Sequence, residues 1–138
     1  MKKKWLPAAV AVLLLIALVF CSDKKGMAVN HVLRNREQLT AYALQCMKQP
    51  ERNTRYGSWD TQYDDKNDVV MFQVSYIGFG SQSDERGFYY SPEDLPNGLG
   101  NDLEETVVDS GLMFLGEGDN YTYVEQITDH WYWYEIHW

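Results

Sequence analysis

The stretch "DVVMFQVSYIGFG", residues 68–80, decides how the rest of the chain is read. Val70, Phe72, Val74 and Tyr76 fall on one face of an alternating pattern, and Val69, Met71, Ile77 and Phe79 fill the ends of the other, with Gln73 and Ser75 between them. Alternation with a period of two is the signature of a β-strand. A strand that is apolar on both faces is central in its sheet and needs cover on both sides.

Working outward, "SQSDE" reads as a turn into a second strand, "RGFYYS" (86–91), and "DDKND" (64–68) as a polar turn back to a strand within "TRYGSWDTQYD" (54–64). From residue 111, "GLMFLGEGDNYTYVEQITDHWYWYEIHW" reads as three strands joined by turns at "GEGDN" and "TDH". "SPEDLP" (91–96) predicts one helical turn with Ser91 as cap and Pro92 in first position, and residues 102–108 a further short helix. Upstream, "HVLRNREQLTAYALQCMKQ" (31–49) carries apolar residues at 32, 39, 43 and 46. That period, near 3.6, predicts an amphipathic helix capped by Asn30 and stopped by Pro50. The expected fold class is α+β, with one N-terminal amphipathic helix packed on a curved antiparallel sheet of five or six strands.

The 45% hydrophobic and 14% aromatic content suits a folded domain, and the length leaves room for one. The opening "MKKKWLPAAVAVLLLIALVFC" sets three lysines before an apolar run from Trp5 to Cys21, a targeting or anchoring segment. The domain organisation expected is residues 1–21 as signal or anchor, 22–30 as linker and 31–138 as a single domain. By the positive-inside rule the domain lies on the exported side of the cell membrane. "LVFC" resembles a lipoprotein signal in which Cys21 is the lipid attachment site, although Phe20 stands where a small residue is usual. An uncleaved anchor is the equal alternative, and a released, secreted protein the third.

Net charge is -8; removing residues 1–21 takes away three of the 12 basic residues and none of the 20 acidic ones, leaving -11. So acidic a domain repels phosphate backbones, which argues against nucleic acid and for a basic protein or peptide as partner.

Candidate chemistry is sparse. Glu135 and His137 share one face of the last strand and form the best acid/base pair, whereas His130 falls on the other. Cys46 paired with a histidine would be the rival nucleophile, but it sits in the last turn of the expected helix, at the negative end of the dipole, where a thiolate is disfavoured. Neither HExxH nor Cys-x-x-Cys occurs, "DDKND" places Lys66 in the middle of what would be a calcium loop, and "FGSQS" lacks a nucleophile elbow. No metal and no cofactor are therefore expected. Gln73 and Ser75 interrupt an apolar strand face and are the candidate ligand contacts.

"GFYYSPEDLP" (87–96), taken with "GDNYTYVEQITDHWYWYE" (118–135), resembles a group of short, membrane-anchored or exported proteins of clostridia-type bacteria. The resemblance covers about the last half of the chain and implies an exported bacterial setting; it implies no activity. Together these readings predict a membrane-tethered, extracytoplasmic, non-enzymatic binding or protein-interaction domain. The alternatives are a small hydrolase using Glu135 and His137, or Cys46 and a histidine, and an inhibitor or immunity-type protein.

Overall fold

A computed structural model of the chain describes residues 24–50 and 54–138. One long helix, α1 (Lys24–Lys48), precedes eight strands: β1 (Thr54–Tyr56), β2 (Trp59–Asp64), β3 (Val69–Phe79), β4 (Gln82–Tyr90), β5 (Glu104–Val108), β6 (Gly111–Leu115), β7 (Tyr121–Thr128) and β8 (Trp131–His137). They form one open antiparallel sheet in the order β1-β2-β3-β4-β8-β7-β6-β5. Two four-stranded meanders are thus joined through β4 and β8, and the last strand of the chain lies inside the sheet.

The α+β class holds, but the sheet has eight strands rather than five or six. The stretch 54–64 divides at Gly57, whose φ of 60° supplies the left-handed turn that sends β1 back along β2. Residues 102–108, expected as helix, contain β5 instead; its exposed, charged "EETVV" lies on the sheet edge, where no apolar period marks it. Of "SQSDE" only Ser81 belongs to the turn, with Gly80 before it; residues 82–85 are the start of β4. "SPEDLP" is a turn without helix, in which Asp94 N–H donates to Ser91 O and Leu95 N–H to Ser91 Oγ.

The helix opens seven residues before the expected start, so most of the expected linker is helical and Asn30 lies inside it. Ala28 extends the buried stripe formed by Val32, Leu39 and Ala43 and is itself fully buried. At Asn35 the backbone leaves the helical region, and Asn35 Nδ2 donates to His31 O, occupying a carbonyl near the kink. No helix among the described residues is long and apolar enough to cross a membrane; the apolar run 5–21 and Cys21 lie outside the described residues.

The helix lies on one face of the sheet over a core of Val70, Phe72, Phe88, Tyr90, Trp131 and Trp133. Phe72 and Phe88 stack at 4.8 Å, Trp59 meets Phe88 edge-on at 5.0 Å, and Trp131 Nε1 donates to Thr40 Oγ1 at 3.2 Å. Each such ring contributes about 2–3 kcal/mol by leaving water. The opposite face is covered by the β4–β5 connection, residues 91–103. Leu99 packs there against Tyr89, Phe114, Val124, Tyr132, Tyr134 and Ile136. Thr122 Oγ1 donates to Gly98 O and accepts from Asn101 Nδ2, so the buried polar groups beneath that connection are satisfied.

Candidate functional site

Strand β8 alternates between the two covers. Trp131, Trp133, Glu135 and His137 face the helix side, and Tyr132, Tyr134 and Ile136 the connection. Its C-terminal end runs out past the helix: Lys25, in the first turn of α1, reaches only as far as Glu125, which lies opposite Trp133. Beyond that level no helix of the described residues lies above the sheet, and the β8 side chains on that face, Glu135 and His137, are polar.

A constellation is assembled there by strand register. Glu135 lies between Arg86 on β4 and Tyr123 on β7; His137 lies between Asp84 and Tyr121. Glu135 Oε1 accepts from Trp133 Nε1 at 3.0 Å, and its Oε2 is 3.7 Å from Arg86 Nε. His137 Nδ1 is 2.7 Å from Asp84 Oδ1, its ring stacks on Tyr121 at 5.3 Å, and its Nε2 is 4.0 Å from Asp119 Oδ2. Closer to the helix, Glu125 Oε2 accepts from Lys25 Nζ at 2.6 Å and from Tyr123 Oη at 2.9 Å. Burial opposes the charge on Glu125, but the hydrogen bonds from Lys25 and Tyr123 outweigh it and hold the carboxyl below its ordinary range.

The predicted residues divide. Glu135 and His137 do share a surface, but each is bound to its own cross-strand partners and neither to the other. Ser75 joins that surface as the partner of Arg86. Gln73 does not, because a β-bulge between Gln73 and Ser75 makes Val74 the extra residue. The insertion turns Gln73 to the face of Gly87 and Tyr89, away from Ser75 and Arg86. Gln73 there lines a groove of about 380 Å³ with Asp60, Gln62, Met71 and Glu85. Glu85 accepts a 2.7 Å hydrogen bond from Tyr134, whose hydroxyl is pushed far above its ordinary pKa by burial and by this carboxylate.

Cys46 is half-buried against the helix-side core, and each histidine is engaged elsewhere: His31 with Trp59, His130 with Ser91 and His137 with Asp84. His137 with Asp84 forms an oriented imidazole able to carry a proton, yet the group that faces its free nitrogen is the Asp119 carboxylate rather than a nucleophile.

Sequence reasoning missed a carboxylate that gathers three donors from residues more than thirty positions away. Asp94 Oδ1 accepts from His130 N–H at 2.6 Å, Tyr132 Oη at 3.0 Å and Gln126 Nε2 at 3.1 Å. Both Asp94 and His130 hold positive φ, 55° and 67°, and His130 Nδ1 is 3.0 Å from Ser91 O. The His130 N–H, foremost, holds the Asp94 carboxyl below its ordinary pKa. Burial, then Asp94 itself, pushes the Tyr132 hydroxyl up. The stretches 87–96 and 118–135, far apart in sequence, therefore meet in space, and this meeting is a structural lock between the connection and the β7–β8 turn. Its only trace in the sequence is Asp94 in a Ser-Pro-Glu-Asp turn. Compared with protein-family models, with curated proteins and with solved structures, the chain matches none.

Proposed function

We propose that the chain is a membrane-tethered, extracytoplasmic binding domain that takes a basic peptide or protein on the helix-side surface beyond the start of α1. One observation carries this reading. Register gathers Asp84, Glu125 and Glu135, and the β6–β7 turn adds Asp119, around the rings of Tyr121, Tyr123 and His137, while Lys25 and Arg86, two cations of that surface, are each already turned onto a carboxylate. Asp119 and Asp84 remain open to solvent, with side chains 76% and 52% exposed. An acidic rim around aromatic rings suits a lysine- or arginine-rich partner, because the rings attract cations as the carboxylates do. The exported setting rests on the leader sequence and on the resemblance of residues 87–96 and 118–135 to anchored bacterial proteins.

The test is calorimetric titration of the chain with a lysine- and arginine-rich peptide and with a glutamate-rich one of equal length. The basic peptide is expected to bind, with affinity falling roughly tenfold as ionic strength rises from low to physiological. The double variant D84N/D119N should weaken it while leaving the melting temperature unchanged. Equal binding of both peptides, or binding indifferent to D84N/D119N, sinks the proposal.

A further inference from the structure

We infer that the end of the sheet from which the β3–β4 hairpin projects rests on the bilayer, with Ile77 and Phe79 entering the headgroup boundary. The inference depends on the tethered reading proposed above.

Exposed apolar side chains are concentrated at that end. Phe79 is 93% exposed and Ile77 71%, and Leu103, Leu115 and Trp138 are exposed beside them. Register places them together: Ile77, Asp84, His137, Tyr121 and Leu115 form one row across the sheet, Leu103 N–H bonds to Leu115 O, and Trp138 pairs with Ser83. At the opposite end, near the β5–β6 and β7–β8 turns, the large exposed apolar residues are Val107, Leu95 and Leu44, the last beside Asp129 and His130. Isolated exposed apolar residues need no explanation, but a fringe of them along one edge marks a contact surface.

The chain itself says what that surface meets. Helix α1 runs from the hairpin end, where Lys25 touches Glu125 and Tyr123, toward the turn end, where Thr40 touches Trp131. Its start therefore points toward the apolar fringe. The apolar run of the leader closes at Cys21, three residues before α1 opens at Lys24, and three residues reach at most about 11 Å. Lys25 bonds Glu125, at the level of Phe88, and lies over the Tyr123 ring, at the level of Arg86, so β4 runs four to six residues further to Gln82 at the tip, an overreach of about 13–20 Å at 3.3 Å per residue. The overhang is no shorter than the tether, so a chain anchored through residues 5–21 brings the tip to the bilayer surface.

The chemistry agrees. Phe, Leu, Ile and Trp are the residues that enter the interfacial layer, with the indole N–H able to stay among headgroups. Asp84, Glu117 and Asp119 at the same end oppose an anionic surface and favour a zwitterionic one. Glu125 and Glu135 then stand on a face perpendicular to the bilayer, open sideways to a partner, with Asp84 and Asp119 below them at the level of the headgroups.

The experiment uses the full chain in phosphatidylcholine vesicles, with p-benzoylphenylalanine in place of Phe79 or, separately, of Val107. Both positions are exposed, so the fold is undisturbed. Irradiation should give a phospholipid adduct at position 79, by mass spectrometry, in roughly tenfold excess over position 107. A chain that floats with the vesicles but shows no adduct at 79, or equal adducts at both positions, overturns the orientation and leaves the tether standing. Cross-linking of position 79 to a second copy of the chain overturns it in favour of self-association. A chain that separates from floating vesicles overturns the tether and the orientation with it.

Discussion

Gly87→Ala should destabilise the protein, against the ordinary sign of that substitution in a strand. Gly87 lies in the middle of β4, opposite Gln73 and Tyr134, and its φ needs no glycine. Intrinsic propensity alone predicts that alanine there would stabilise by about 0.5–1 kcal/mol. The bulge decides otherwise. A Cβ on Gly87 would stand 2.1 Å from Phe72 O and 2.8 Å from Tyr134 Oη, and separations under 3.0 Å are ones real Cβ atoms do not make. The tyrosine could move, but the carbonyl belongs to β3, so the β3–β4 ladder must open by about 1 Å or the bulge must shift. Overpacking of this kind costs about 1–3 kcal/mol and sometimes more, which against the propensity gain leaves a net loss of about 1 kcal/mol. In urea denaturation, with a slope of about 1–3 kcal/mol/M, the midpoint should fall by about 0.5 M. The double variant Gly87→Ala/Tyr134→Phe relieves the hydroxyl contact alone and should recover only a small part. A midpoint at or above the wild type's would refute the bulge geometry and, with it, the separation of Gln73 from Ser75.

Three further outcomes follow from the same packing. Trp131→Ala removes a fully buried ring and its bond to Thr40 and should cost about 3–5 kcal/mol in chemical denaturation, a large share of a small domain's stability; a loss under about 1 kcal/mol would mean that the helix does not pack there. Asp94→Ala should cost about 1–2 kcal/mol at neutral pH by orphaning its three donors. Because the folded-state pKa of Asp94 is depressed, that contribution is present above the unfolded carboxyl value near ~4 and is lost as pH falls through the folded value. The wild-type advantage over Asp94→Ala, measured by midpoint, should therefore shrink in acid, and an undiminished gap there would count against the lock. Truncation after Asp129 removes β8 from between β4 and β7 and should abolish the cooperative melt; a sharp transition in the truncated chain would show the strand to be dispensable.

What could be read from the sequence was whatever an apolar period marks. Trp131 to Ile136 alternates between two covered faces, and the first half of β3 does the same, so both were legible as strands that need cover on both sides. Pro50 marks the helix end, and the Asp64 side chain holds the "DDKND" turn through Lys66 N–H and Asn67 N–H. Strand β5 was illegible because an edge strand open to water carries no such period. The first half of β4 was read as a turn for a related reason: it projects beyond the helix, where nothing apolar is required. The bulge leaves no mark, since one inserted residue changes which face follows without changing residue type. For the candidate site, alternation found Glu135 and His137, but their partners Arg86, Asp84, Tyr121 and Asp119 come from other strands, and register is a tertiary fact.

Placing the last strand in the middle of the sheet explains why core and candidate site lie on one stretch of ten residues. On the helix-side face of β8, Trp131 and Trp133 are fully covered, while Glu135 and His137 are only half-buried. The change occurs where α1 begins, because an apolar ring is stabilised only where the helix excludes water, and a carboxylate or imidazole only where water or a partner reaches it. The start of the helix thus sets the boundary between the part of β8 that holds the fold and the part that is free to bind. A helix opening at His31, as the sequence alone suggested, would have placed that boundary elsewhere. The residues Lys24 to Asn30, expected as linker, instead bring Ala28 into the core and carry Lys25 to Glu125, so that the site begins at the edge they define.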